Sequence, residues 1–293
     1  MRPLLISLRP AQWTKNLIVF AGLIFGQRLL DPTALERSLA AFAIFCALSS
    51  AVYLINDIVD READRQHPLK AGRPIASGTL PARTAGIAAA VLLTAGLAAS
   101  FWLGRPFTLV AAGYLVLQGL YSGPLKHIVI IDVLAIAGGF VLRAAAGAAA
   151  IGIPMSHWLL VVTVLLALFL ALSKRRHELV LLADGATSHR QILGEYSPYL
   201  LDQMISVVTA STLVAYAFYT ISPETQEKFQ TDLLGLTLPF PLYGIFRYLY
   251  LVHRKDLGGS PSELLLADRP LLVCVALWGL AVMAIIYAPQ VWR

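Results

Sequence analysis

An all-α, polytopic membrane fold is what this sequence predicts, and three observations carry the prediction. Hydrophobic residues make up 58% of the 293-residue chain, and its mean hydropathy is +0.71. Only 14% of residues are charged, against about 25% in soluble domains. The apolar residues fall in runs of roughly 17–25, the length that crosses a bilayer as an α-helix. These runs are apolar on every side, so they lack the alternation of a transmembrane β-strand.

Taken in order, about nine transmembrane helices are expected: 16–35, 38–58, 83–103, 106–122, 128–150, 157–173, 200–221, 233–252 and 270–289. The first, fourth and sixth are short or interrupted. Ala and Gly are frequent in 85–99 and 135–152, and small residues let helices approach closely in lipid. The start, MRPLLISLRPAQWTKN, has no small-residue cleavage site after a short apolar core, so no cleaved signal is expected. Cys46 and Cys274 fall inside apolar runs and read as small buried hydrophobes, without metal-ligand spacing or an obvious disulfide partner.

The chain reads as a single integral membrane domain, 1–293. A faint repeat runs through it. Lys15 precedes the first helix and Lys126 the fifth; polar clusters at 56–64 and 174–178 end the second and the sixth. This suggests two four-helix halves, roughly 9–122 and 123–252, with 270–289 as an extra helix. Parallel repeats of this kind place a site between their halves. Most of the 23 Lys and Arg residues fall on the side that carries the N-terminus and the loops 59–82 and 174–199. The positive-inside rule assigns that side to the cytoplasm. The expectation is a multi-pass protein of the inner (plasma) membrane whose polar site faces the cytoplasm.

That site is suggested by YLINDIVDREADRQHPLKAGRPIASG, residues 53–78. If the second helix continues past Asn56, then Asp57, Asp60 and Asp64 stand at i, i+3 and i+7 on one face. Three like charges there repel unless a cation is bound. Oxygen ligands suit Mg²⁺, which takes one or two carboxylates plus substrate phosphates. The column therefore reads as a metal clamp for a diphosphate. A solvated helix end paired with Arg61 and Arg65 is the plainer reading. Lys70 and Arg73 are suited to phosphate oxygens, or to a basic loop against anionic lipid. Gly72 and Gly78 permit tight turns there.

YSGPLKHIVIID opens the fifth helix, with Tyr121 and Lys126 flanking a Gly-Pro turn. Asp132 and Arg143 lie eleven residues apart, almost three turns, and share a face. A charge at such depth costs about 2.5–3.5 kcal/mol, so Arg143 needs a cavity or a partner. A salt bridge within the bundle and an arginine reaching a phosphate both satisfy this. LSKRRHEL ends the sixth helix; Lys174 and Glu178 are spaced to pair at i, i+4. His67, His127 and His177 lack ligand spacing and read as polar surface. No Walker A, Rossmann or G-x-S-x-G motif is present, and no nucleic-acid partner is expected.

The chain resembles the UbiA superfamily of intramembrane prenyltransferases. NDIVDREAD is similar to its N-D-x-x-D-x-x-x-D motif and is followed, as there, by RPIASG. The resemblance runs from LRPAQWTKN to ADRP and implies a nine-helix bundle. It implies Asn56, Asp57, Asp60 and Asp64 as Mg²⁺–diphosphate ligands. One departure stands out: where members carry a second aspartate-rich motif, this chain has SKRRHEL, basic apart from Glu178. That pattern is closer to the branch that moves 5-phosphoribose from phosphoribosyl diphosphate to a polyprenyl phosphate for cell-wall precursors. Its similar features include the LRPxQWxKN start, YSxxLKH, and an Arg and Tyr that match Arg190 and Tyr196.

The resemblance to this branch implies a catalytic set of Asp57, Asp60, Asp64, Lys126 and Lys174. Substrate-binding residues would be Lys15, Asn56, Lys70, Arg73, Tyr121, Arg175, Glu178 and Arg190, with Arg143 added from its depth. The implied cofactor is Mg²⁺, and the implied partners are phosphoribosyl diphosphate, a polyprenyl phosphate and the lipid bilayer; homo-oligomerisation stays open. Two other functions remain: a prenyltransferase using prenyl diphosphate and an aromatic or other acceptor, and a transporter with Asp132 and Arg143 lining a path.

Overall fold

The computed structural model describes residues 2–66, 70–182, 191–255 and 259–291. Every regular element among them is helical. The chain divides into two compact units, Met1–Lys126 with Leu142–Met155, and His127–Val141 with Ser156–Arg293. The first opens with α1 (Arg2–Ser7), a 3-10 stretch over Pro10–Phe20 and α2 (Ala21–Phe25). It continues with α3 (Pro32–Val59), α4 (Arg61–Gln66), α5 (Ala82–Leu103) and α6 (Arg105–Ser122). Next, α7 (Ile131–Ala150) gives its first half to the second unit and the rest to the first. The second unit continues with α8 (His157–Leu182), α9 (Pro198–Ile221), α10 (Pro223–Phe229), α11 (Pro239–Arg254), α12 (Pro261–Ala267) and α13 (Arg269–Val291).

Three helix starts share a polar cap followed by proline. Asp31 accepts from the backbone N–H of Thr33 (3.0 Å) and Ala34 (3.2 Å), with Pro32 opening α3. Ser197 and Ser222 cap α9 and α10 in the same way, each followed by proline. The first-turn N–H groups lack helical partners, so a side-chain acceptor helps and a proline costs nothing there.

Six helices among the described residues are long and apolar enough to cross a membrane: Pro32–Val59, Ala82–Leu103, Ile131–Ala150, His157–Val180, Pro198–Ile221 and Arg269–Pro289. This corrects the expected nine. The expected helix 16–35 is broken: a 3-10 stretch and α2 end at Phe25, and a turn with Gln27 at φ 55° precedes Pro32. The expected 233–252 is a 3-10 turn, Leu233–Thr237, and then α11, whose 16 residues are short for a span. The expected 106–122 forms α6, which Arg105 and Gln118 make less apolar. The sixth helix does not stop at 173 but runs to Leu182, because Leu172 and Leu179 continue its apolar seam. Many large apolar side chains stay exposed, Leu109 at 73% and Val207 at 66% among them, as a lipid-facing surface requires.

The first unit packs Phe45 against Phe107 and Tyr114, with ring centroids 5.9 and 5.2 Å apart. Arg37 ties two helix ends together, donating from Nε to the Ala150 carbonyl and from Nη2 to the Leu103 carbonyl. A cation there meets the negative ends of α5 and α7. In the second unit Phe169 packs edge-on to Tyr248 at 5.3 Å, inside a core with Leu172, Leu201 and Leu251.

The small residues of α7 have a specific use. A Cβ on Gly147 would sit 1.9 Å from the Val19 carbonyl oxygen, so the 3-10 stretch touches the helix backbone there. Gly147→Ala is expected to destabilise the detergent-solubilised protein by about 1–3 kcal/mol, the usual cost of overpacking. Gly279→Ala on α13, where a Cβ meets nothing within 4 Å, is the control and should not lower the melting temperature. Thermal unfolding of both variants checks this; equal melting temperatures would contradict the close approach.

Candidate functional site

The acidic stretch is not one continuous helix. Helix α3 ends at Val59, Asp60 caps it at φ −85° and ψ 6°, and α4 restarts at Arg61. The interruption corrects the single-face expectation but keeps two of the three carboxylates together. Asp57 and Asp64 are both 3% exposed. A single nitrogen, Arg73 Nη1, donates to Asp57 Oδ1 (3.1 Å) and to Asp64 Oδ2 (2.6 Å). Lys70 Nζ lies 3.9 Å from Asp64 Oδ1. Asp60 is half-buried, with no side-chain hydrogen bond or ion pair among the described residues. Asn56 Oδ1 accepts from Ser122 Oγ at 2.7 Å.

The plainer reading, acids paired with Arg61 and Arg65, does not hold. Arg65 instead grips Glu62 and donates from Nε to the Ala76 carbonyl at 2.9 Å. Arg61 stands 3.7 Å from Glu62. Arg65 thereby braces the loop that carries Arg73. Ile75 and Leu80 of that loop are buried with Ala51, Leu54, Ala85 and Ala89, and Gly78 turns at φ +80°. Burying these apolar side chains aims Arg73 at the carboxylates.

A second arginine, which the sequence did not single out, completes the cluster. Arg9 Nη2 donates to Asp57 Oδ1 at 2.5 Å, and its guanidinium lies 4.8 Å over the Tyr53 ring. Leu4 and Leu8 pack on the same core as Ile75. Ser50 Oγ donates to the Leu8 carbonyl (2.9 Å) and accepts from Trp13 Nε1 (3.0 Å). The only signal in the sequence was an arginine before proline in the LRPAQWTKN start.

Arg143 lies deeper in the first unit, 5% exposed. Its Nε donates to Asn16 Oδ1 and its Nη2 to the Tyr114 hydroxyl, each at 2.8 Å, and it stacks over that ring at 4.7 Å. It does not pair with Asp132. Asn16 also donates to Ser49 Oγ at 3.2 Å. The half-buried Lys15 is the adjacent residue on the same 3-10 stretch. Tyr121 lies in the last turn of α6, and Lys126 lies half-buried in the turn Leu125–His127, with no side-chain ion pair among the described residues.

The second unit holds its own network. Asp132, fully buried, accepts from Arg175 Nε (2.7 Å) and from the Tyr196 hydroxyl (2.8 Å). Arg175 Nη1 donates to Glu178 Oε2 at 2.6 Å, and Lys174 Nζ lies 3.6 Å from Glu178 Oε1. Tyr196 accepts from the Ile130 N–H at 2.8 Å. Burial first, then the Asp132 carboxylate, pushes the Tyr196 hydroxyl up to about 12, so it stays protonated and donating at neutral pH. Arg175, 1% exposed, is thus fixed between two carboxylates, whereas the side chains of Lys174 and Glu178 are 39% and 24% exposed. Arg190 and His67 lie outside the described residues.

The donor set of the first cluster tests the implied metal. It is all oxygen, from Asp57, Asp60, Asp64 and Asn56, which fits a hard cation. Asp57 and Asp64 already converge on one cationic nitrogen of Arg73. Among the described residues no three His, Cys, Asp or Glu side chains form a ready-made cage. Mg²⁺ characteristically needs none, since substrate phosphates and water complete its shell.

The profile of the UbiA prenyltransferase family matches residues 16–263. The decaprenyl-phosphate phosphoribosyltransferase of Corynebacterium glutamicum is 35% identical over 96% of this chain and 86% of its own. That of Mycolicibacterium smegmatis is 33% identical over 97% and 92%. A UbiA homolog from Archaeoglobus fulgidus bound to GPP and Mg²⁺ shares the fold, with a TM-score of 0.72 at 21% identity over 97% of this chain and 99% of that one. With six helices among the described residues long and apolar enough to cross a membrane, this chain is a multi-pass membrane enzyme and belongs to the UbiA prenyltransferase family.

Proposed function

We propose that this enzyme transfers 5-phosphoribose from phosphoribosyl diphosphate to a polyprenyl phosphate, in cell-wall precursor synthesis at the cytoplasmic face of the plasma membrane. The observation that carries the reading is the asymmetry of the two polar clusters. The first has carboxylates suited to a metal-bound diphosphate. The second, where an ordinary family member repeats its aspartates, has Lys174, Arg175 and Glu178. A reaction that handles one diphosphate and two phosphate monoesters calls for unlike clusters rather than a repeated one. The names of relatives 31–35% identical over nearly the whole chain support the same substrates.

In this reading Asp57, Asp60, Asp64 and Asn56 would hold Mg²⁺, which would supply Lewis-acid stabilisation of the diphosphate's negative charge. Arg73 and Lys70 bind diphosphate oxygens, Arg73 with its planar fork. Lys15, Tyr121 and Lys126 orient the donor. Lys174 and Arg190 take the remaining phosphates, while Arg175, locked by Asp132, fixes the position of Glu178. The bond from the anomeric carbon to the diphosphate oxygen breaks, and a bond from that carbon to a lipid phosphate oxygen forms. The lipid phosphate arrives as an anion, so no general base is needed. Attack from the face opposite the leaving group inverts the anomeric centre. Catalysis then rests on positioning and electrostatics.

Purified protein given labelled phosphoribosyl diphosphate and a polyprenyl phosphate is expected to form labelled lipid, and EDTA is expected to abolish it. No labelled lipid, with product from prenyl diphosphate and an aromatic acceptor instead, would overturn the reading. Uptake into vesicles without covalent product would indicate a transporter. Because Asp60 has no side-chain partner among the described residues, Asp60→Asn should leave the melting temperature unchanged while lowering kcat/KM on the order of 10²-fold. Near-normal turnover by the folded variant would exclude the metal role of Asp60.

A further inference from the structure

We propose that Arg9 is a diphosphate-binding residue that Asp57 holds until metal and diphosphate arrive. The inference rests on the reading of the carboxylates as a metal–diphosphate site. Its starting point is charge. Asp57 and Asp64 are buried, and Arg9 and Arg73 lie directly on them. A buried carboxylate needs such a partner, since an uncompensated charge is costly. Two guanidiniums balance two carboxylates, with Lys70 near Asp64. A dication entering alone must compete with both arginines for the same oxygens. A diphosphate entering with it offers those arginines a new anionic partner. Metal and diphosphate therefore bind cooperatively, each raising the affinity of the other by the same factor.

Arg9 is built for this exchange. Its side chain is 27% exposed, against 4% for that of Asp57, so Arg9 is the more accessible member of the pair. Its second foothold is the Tyr53 ring at 4.8 Å, which holds a cation from either side of the exchange. Its backbone stands at φ 54° and ψ 61°, immediately before Pro10. That left-handed conformation is uncommon for a side-chain-bearing residue and disfavoured before proline. Strain of this kind collects at ligand clamps. The surrounding hold is firm: Ser50 binds the Leu8 carbonyl and Trp13 binds Ser50, so the main chain can stay in place while the side chain changes partner.

The test measures binding, not turnover. Mn²⁺ binding to the full-length protein is followed by electron paramagnetic resonance, with and without inorganic pyrophosphate. Wild type is expected to bind Mn²⁺ weakly alone and more tightly with pyrophosphate. Arg9→Ala should bind Mn²⁺ alone more tightly than wild type, because a competitor is gone. It should bind pyrophosphate in the presence of Mn²⁺ about tenfold more weakly, the loss of one charge-assisted hydrogen bond. Arg9→Lys, which keeps the charge, should recover most of both properties. If Arg9→Ala does not fold, Arg9→Gln carries the same expectations. Unchanged Mn²⁺ affinity, or unchanged pyrophosphate affinity, in a folded variant would overturn the proposal alone. If wild type itself binds no Mn²⁺ even with pyrophosphate, the metal reading fails and the proposal fails with it.

Discussion

Two carboxylates taken out of water, Asp57 and Asp64, are the constraint around which the first unit is arranged. Burial disfavours their charge unless cations come to them. The cations come from elsewhere in the sequence: Arg9 from the chain start and Arg73 from the loop after α4. Each arrives on a segment anchored by apolar burial, Leu4 and Leu8 for one and Ile75 and Leu80 for the other. The hydrophobic effect supplies the anchoring, and electrostatics decides what the anchored segments present. The outcome is a compact polar cluster where α3 meets α4, at the end of a largely apolar helix.

The second unit solves a similar problem with the signs distributed differently. There a single fully buried carboxylate, Asp132, fixes Arg175 and Tyr196, and Arg175 in turn fixes Glu178. Lys174 and Glu178 are the accessible members of that network. Arg143 is a third case, a buried cation satisfied by an amide and a phenol inside the first unit. Removing a partner from any of these networks leaves a charge or dipole in a low-dielectric interior, which is why they specify side-chain positions so strongly.

Much of this was legible in the sequence, and the failures have physical causes. Helix existence followed from apolar runs, and the proline and cap residues set several starts. The span 16–35 failed because hydropathy does not register a 3-10 stretch or the turn at Gln27, only the apolar character on either side. The end of α8 failed because charged residues were read as a boundary, although Leu172 and Leu179 carry the apolar seam past them. The spacing of Asp57 and Asp64 correctly brought them together, while the break at Asp60 was invisible to periodicity. Arg9 was missed because its partner is 48 residues away, and no local pattern encodes such a contact. Arg143 was rightly read as needing a partner, but Asn16 and Tyr114 are neutral and gave no charge signal.

The most direct test of the central claim is an experimental structure of the protein with Mg²⁺ and phosphoribosyl diphosphate. The account predicts the diphosphate held beside Asp57, Asp60, Asp64 and Asn56, with Arg9 moved from Asp57 onto that diphosphate. A bound donor lying elsewhere, with Arg9 and Arg73 still closed on Asp57 and Asp64, would contradict it.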